Sequence, residues 1–143
     1  MRNRSPKPAE VGLRYLSTAY WIRKAVDGQM ADNGPSLART KVLQVLDRHG
    51  SLRQAALATE LGLAARSITQ AVETMERDGL VERRPDPKDQ RAKLVSLTAE
   101  GAAALVAGTA AGEDAIRRIF AGLRPAQRTA LDEILDVLDA TAG

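Results

Sequence analysis

Cysteine is absent from the 143 residues. Its absence removes disulfides, thiolate metal sites and thiol-based redox sensing together, although it does not fix the compartment. Histidine occurs once, as His49, which argues against a histidine-built metal site and against a Ser/His/Asp triad elsewhere in the chain. Aromatic residues are scarce as well: one Trp, two Tyr and one Phe. Hydrophobic residues make up 44% of the chain, yet 25 of those positions are alanine. A chain so composed buries little area per residue, so the expected core is thin, helical and completed by another subunit. No apolar run reaches the roughly 18 residues that mark a membrane-spanning helix. With no signal-peptide core at the N-terminus either, the chain reads as soluble and cytoplasmic.

The length suits one folded unit. Net charge is +3 and unevenly spread: residues 1–24 hold six basic side chains against Glu10 alone, whereas residues 99–143 hold four basic and seven acidic ones. A basic front and an acidic back suit a chain that turns one face toward a polyanion, a pattern also common in proteins that bind none.

From Glu10 to Met30 the apolar residues Val11, Tyr15, Ala19, Ile22, Val26 and Met30 recur at spacings of three and four, one face of a helix that Pro8 precedes. Asn33, Gly34 and Pro35 break the chain. A second helix carries Val42, Leu43 and Leu46 and stops at Gly50. His49 lies in its last turn, where an imidazole caps carbonyls or meets the helix dipole. A short third helix over 53–61 turns Ala56, Leu57 and Leu61 inward and is closed by Gly62. The fourth runs from about Ala65 to Asp78, with Ile68, Val72 and Met75 on one face and Arg66, Gln70, Glu73 and Arg77 on the other. Leu80–Arg84 and Lys93–Thr98 then read as two strands joined by an exposed loop from Pro85 to Ala92. A helix-turn-helix followed by such a hairpin is a winged helix. Thr98 reads as the N-cap of a long helix reaching about Ala121. Gly108 and Gly112 share its face with Leu105, Ile116 and Ile119, and mark either close packing or a bendable point. A last helix from Pro125 is expected to bury Leu131, Ile134, Leu135 and Leu138.

In one order and spacing the chain carries Leu57-Ala58, Leu61-Gly62-Leu63, Ser67-Ile68-Thr69 and Asp78-Gly79-Leu80-Val81-Glu82-Arg83. Asp89-Gln90-Arg91 follows, then five residues, Leu97-Thr98 and Gly101. On these motifs the stretch from about residue 52 to 101 resembles the MarR-type transcriptional regulators. Two positions depart from that family's pattern. Arg53 stands where a Thr or Ser cap is common, and Gln90 where a second Arg is frequent, which bears on the cap of the third helix and the basicity of the wing.

The resemblance implies a mainly α fold with a small β-hairpin wing, a winged helix-turn-helix between N- and C-terminal dimerisation helices. Residues 1–34 would be an arm and dimerisation helix, 35–98 the DNA-binding region, and 99–143 the C-terminal dimerisation helices of one intertwined domain. The implied function is that of a homodimeric regulator of transcription on double-stranded DNA carrying an imperfect inverted repeat, a repressor relieved by a small aromatic or amphipathic effector. The implied setting is the cytoplasm of a bacterium or archaeon, on the nucleoid when DNA-bound. No cofactor, metal, membrane or enzymatic activity is expected.

Within that frame the fourth helix is the candidate recognition helix. Arg66 suits guanine O6 and N7, Gln70 suits adenine, and Ser67 and Thr69 lie near enough to the helix start to reach phosphates or bases. Arg77 is balanced between a DNA contact and a cation at the helix end. In the wing, Arg91 suits a narrow minor groove, while Lys88 and Lys93 suit phosphates. Asp89 either bonds loop amides or orients Arg91, and at most one of Arg83 and Arg84 faces the duplex because the two alternate along a strand. The resemblance also implies an effector crevice beside the winged helix, with Tyr20, Trp21 and Arg39 as candidates; packing at a dimer seam is the reading that suits the two aromatics better. The competing reading is a winged helix used for protein contact. An enzyme is disfavoured because no nucleophile with a base, metal cluster or phosphate-cradling glycine loop is visible.

Overall fold

The computed structural model describes residues 4–143. Its elements are α1 (Pro8–Asn33), α2 (Leu37–His49), β1 (Leu52–Arg53), α3 (Gln54–Leu61), α4 (Ala65–Arg77), β2 (Val81–Asp86), β3 (Asp89–Leu97), α5 (Ala99–Phe120) and α6 (Pro125–Ala142). Local chemistry sets most of these boundaries. Ser36 Oγ accepts a hydrogen bond from the Arg39 amide at 3.2 Å and Thr98 Oγ1 accepts one from the Gly101 amide at 3.0 Å, so α2 and α5 each begin on a hydroxyl cap. Pro8 and Pro125 open α1 and α6, where a missing N–H costs no helical bond. Gly62 leaves α3 with φ of 64°, a left-handed exit. His49 ends α2 with Nε2 3.7 Å from Glu60 of α3.

The sheet is larger than the two-stranded hairpin expected from the sequence: its order is β1-β3-β2, all antiparallel, with Leu52 opposite Val95 and Arg83 opposite Val95 on the other side. A strand of two residues offers no period to read. The wing loop is correspondingly shorter than the Pro85–Ala92 connector expected, since the strands continue through Asp86 and resume at Asp89. Asp86 explains this. Its carboxylate accepts from the Lys88 amide at 2.9 Å, tightening the turn, and from Arg53 Nε at 2.6 Å. Arg53 therefore gives α3 no side-chain cap and instead ties the base of that helix to the wing.

One core joins Leu43 and Leu46 of α2, Leu57 of α3, Ile68, Val72 and Met75 of α4, and Val81 and Val95 of the sheet. A smaller one joins Val26 and Met30 of α1 to Ala115 of α5. Close approach holds α5 to both neighbours. A Cβ at Gly108 would lie 2.5 Å from Thr40 Oγ1 and 2.9 Å from Pro35 Cγ, and one at Gly112 would lie 3.2 Å from Met30 Sδ. Of the two readings of these glycines, packing is the one the contacts support.

The expectation of burial fails for α6, which has no buried residue. Leu131 and Leu135 are half-buried, whereas Ile134 and Leu138 are exposed. On α1, Val11 and Tyr15 are exposed too, so the apolar face read from the sequence is covered only over its C-terminal part. The periodicity identified the helices correctly but cannot say that a single chain supplies the surface to cover them. No helix among the described residues is long and apolar enough to cross a membrane.

The wing is joined to α5 at a tight crossing. Thr98 Oγ1 donates to the Gly79 carbonyl at 2.6 Å while it caps α5, and a Cβ at Gly101 would collide with the Leu80 carbonyl oxygen. Gly101→Ala is therefore expected to destabilise the fold by about 1–3 kcal/mol, because backbone rather than a flexible side chain must move. Urea unfolding followed by circular dichroism measures this, and a midpoint at or above that of the parent would contradict it.

Candidate nucleic-acid interface

The N-cap residue of α4 is Ala64, whose side chain offers no hydrogen-bond acceptor, so the first amides of the helix lack a side-chain cap. Its apolar face is sunk in the core through Ile68, Val72 and Met75, which leaves Arg66, Ser67, Gln70 and Arg77 exposed on the outer side. None of these four side chains makes a hydrogen bond or ion pair with a described residue. Thr69 differs from them. It is half-buried, its hydroxyl donates to the Ala65 carbonyl at 2.9 Å and accepts from Gln54 Nε2 at 2.7 Å, so it braces α3 against α4.

The wing carries the second group. Lys88 sits in the two-residue turn, and Arg91 and Lys93 are exposed along β3, Lys93 two residues before the buried Val95. Arg91 thus belongs to a strand rather than to the loop expected from the sequence. Asp89 accepts from the Arg91 backbone amide at 3.0 Å, which fits the first of its two expected roles. The side chains of Lys88, Arg91 and Lys93 have no ion-pair partner among the described residues.

Four arginines of the same region are engaged by carboxylates. Arg84 meets Glu82 at 3.0 Å, Arg39 meets Asp78 at 2.8 Å, and Arg53 meets Asp86. The most developed pair links α4 to the wing: Arg83 donates to Glu76 through Nη2 at 3.0 Å, Nε at 3.3 Å and its backbone amide at 3.1 Å. The Arg83 hydrogen bond holds the Glu76 carboxyl below its ordinary range, against the opposing effect of burial, and the same bond raises the Arg83 guanidinium. Asp86 is lowered as well, chiefly by the Lys88 amide and then by Arg53.

A crevice of about 470 Å³ opens between α1, the start of α2 and the α3–α4 turn. Tyr20, Arg23, Lys24 and Lys41 line it, with Leu61 and Leu63 from the turn. Of the three residues expected there, the structure brings only Tyr20 to it. Trp21 meets the Tyr20 ring edge-on at 5.2 Å and carries Lys24 Nζ 5.3 Å over its face, and Arg39 is directed to Asp78 at the end of α4. The sequence reading missed Arg23 and Lys41, whose basic charge in the N-terminal half was the one available signal. Among the described residues no group of His, Asp or Glu is placed to hold a metal ion.

Residues 36–93 match the model of the MarR family. The chain is 30% identical over 104 residues to the uncharacterized HTH-type transcriptional regulator YfiV of Bacillus subtilis, covering 72% of this chain and 64% of YfiV. It is 28% identical over 127 residues to the HTH-type transcriptional repressor IacR of Pseudomonas putida, covering 83% of this chain and 75% of IacR. The fold is that of a MarR mutant from E. coli solved with operator DNA, with a TM-score of 0.73 at 22% identity over 90% of this chain and 93% of that one. It is also that of PcaV from Streptomyces coelicolor solved with its natural ligand, with a TM-score of 0.67 at 19% identity over the whole of both chains.

The lowered carboxylates set the pH behaviour. Glu76 and Asp86 contribute stability above the ordinary carboxylate range, and lose it as pH falls through their lowered folded values; Arg83 stays charged throughout. Glu76→Gln is therefore expected to cost about 0.5–1 kcal/mol near neutrality, solvent screening included, with the difference from the parent shrinking between about pH 6 and about pH 3. Urea midpoints across that range test it. A difference that stayed constant down to the acid end would show that the Glu76 charge is not what holds Arg83.

Proposed function

We propose that the chain is a MarR-family regulator, a homodimer binding double-stranded DNA in a sequence-specific way and a repressor relieved by a small effector. One observation carries the reading. Arg39, Arg53, Arg83 and Arg84 are tied to carboxylates, while Arg66, Arg77, Lys88, Arg91 and Lys93, spread over α4 and the wing, have no ion-pair partner among the described residues and remain exposed on one reading surface. A polyanion gains the full set of contacts.

In this reading Arg66 and Gln70 address base edges in the major groove and Ser67 a phosphate or base, with Thr69 setting the helix in place. Arg91 reaches the minor groove, and Lys88, Lys93 and Arg77 neutralise phosphates. The chain divides into 1–34, an arm and dimerisation helix, 35–98, the reading head, and 99–143, the C-terminal dimerisation helices. A second copy covers the exposed Leu13, Leu16, Ile134, Val137 and Leu138. Such a dimer presents two reading heads to an imperfect inverted repeat whose half-site centres lie about 10 base pairs apart. IacR is named as a repressor, MarR was solved with operator DNA and PcaV with a ligand, which supports the direction of regulation, the nucleic-acid partner and an effector respectively. The crevice at Tyr20, Arg23 and Lys41 is where we place the effector, a small aromatic or amphipathic molecule. The setting is the cytoplasm, on the nucleoid when DNA-bound.

Selection of bound sequences from random duplexes supplies the operator for the test. Against it, Arg66→Ala or Gln70→Ala is expected to lose about 1–3 kcal/mol per affected base contact and to relax preference at that base. Arg91→Ala is expected to weaken binding across sequences and to reduce the salt slope by about 1. Titrations at several salt concentrations, with folding checked by circular dichroism, separate the outcomes. Recognition-helix variants that keep full affinity and selectivity would favour the protein-contact reading.

A further inference from the structure

Near its tip the wing departs from a regular ladder. Val81 to Pro85 of β2 pair in step with Leu97 to Lys93 of β3, but Asp86 pairs with Asp89, which leaves Gln90, Arg91 and Ala92 without a register partner on β2. Pro85 has no N–H with which to carry the ladder further. Arg91 therefore stands in the middle of a bulge, a device that re-aims a side chain, and Asp89 holds that bulge through the Arg91 amide at 3.0 Å. The ladder alone does not fix the tip. The remaining tie is Asp86, at 6% exposure the one buried charged residue among those described, which accepts from the Lys88 amide at 2.9 Å and from Arg53 Nε at 2.6 Å. Arg53 lies on β1, opposite Leu94 of the central strand β3, and Asp86 lies on β2, so the pair spans the sheet from one edge to the other.

We infer that Arg53 is a positioning residue for DNA reading: through Asp86 it sets the place of the wing tip, and so of Arg91, relative to α3 and α4. This rests on the proposed function, in which Arg91 enters the minor groove. Arg53 is the N-cap residue of α3, and Gln54 Nε2 donates to Thr69 of α4 at 2.7 Å, so the wing tip is tied to the same helix pair that presents Arg66 and Gln70. A carboxylate as buried as Asp86 needs its cation. Without Arg53 it keeps the Lys88 amide alone, and the tip has to open to hydrate it. The Glu76–Arg83 pair does not replace this tie, because it joins α4 to β2 at the base of the wing, before the bulge. The departure at Arg53 thus exchanges a helix cap for a wing anchor. Its side chain is 47% exposed, so a direct phosphate contact by Arg53 is the alternative to be separated.

Titration of the selected operator with the full-length parent, Arg53→Gln, Arg91→Ala and the double variant tests this. Arg53→Gln is expected to weaken binding about fivefold in the parent and less than about twofold where Arg91 is already Ala, because both changes remove one contact. Asp86→Asn is expected to weaken binding about as much, although it takes a negative charge away from a surface turned to a polyanion. Arg53→Lys, which keeps the charge but not the fork, is expected to lose less than Arg53→Gln. Preference at the bases assigned to Arg66 and Gln70 is expected to persist in every variant. Amide hydrogen exchange of the free protein is expected to quicken in the wing of Arg53→Gln and to stay at the parent's level in α4. Should Arg53→Gln fail to fold, Arg53→Lys and Asp86→Asn carry the same cycle with Arg91→Ala. Additive losses overturn the inference and make Arg53 a direct phosphate contact. Tighter binding by Asp86→Asn, or unchanged exchange in the wing, overturns it as well. A parent that binds no duplex overturns the DNA reading itself, and the positioning role with it.

Discussion

The rest of the structure depends on one shortage: a single chain has too little apolar mass to cover its own terminal helices. The reading head closes around its own core, with Leu43, Leu46, Leu57, Ile68, Val72, Met75 and Val95 almost wholly out of solvent. The terminal helices do not. Between α1 and α5 the buried apolar side chains are Val26, Met30 and Ala115, and no residue of α6 is fully buried. Alanine is the reason, since it favours helix strongly and contributes little area once the helix has formed. A second copy is the proposed remedy, and the paired reading heads follow from it rather than from any feature of the heads themselves.

Rigid joints carry that arrangement outward. Thr98 binds the end of the wing to the start of α5 through the Gly79 carbonyl, and Gly101 lets α5 pass against the Leu80 backbone. Farther along, Gly108 and Gly112 bring α5 against Thr40, Pro35 and Met30, so the one helix is seated on the sheet, on α2 and on α1. Arg83 and Glu76 lock the recognition helix to β2, and Arg53 and Asp86 lock α3 to the wing tip. Leu61 and Leu63, which wall the crevice, stand at the entrance to α4. In the proposed function, a molecule filling that crevice would touch the turn that enters α4, a physical route by which occupancy would reach the proposed DNA-reading helix.

Much of this was legible in the sequence because local chemistry decides it. Thr98 as a cap, Gly62 as a left-handed exit, Pro125 as a helix opening and the outer face of α4 all rest on neighbours within a turn or two. What escaped depends on residues far apart in the chain. Arg53 was noticed as a poor cap and Asp86 as one charge in a loop, but only folding brings these positions, 33 residues apart, to 2.6 Å and shortens the wing loop. Thr69 looked free until Gln54 of the preceding helix was placed against it. Arg39 was assigned to the crevice by type alone, and its partner Asp78 drew it elsewhere. The exposure of α6 escaped for a different reason, since no pattern within one chain says whether the covering surface lies in that chain.

Sedimentation equilibrium at low micromolar concentration is the most direct measurement of that shortage and its remedy. A folded protein of twice the 15.3 kDa chain mass is expected, dissociating only as the helices unfold. A monomer of 15.3 kDa with native helix content would contradict the shared core, and with it the symmetry proposed for the DNA site.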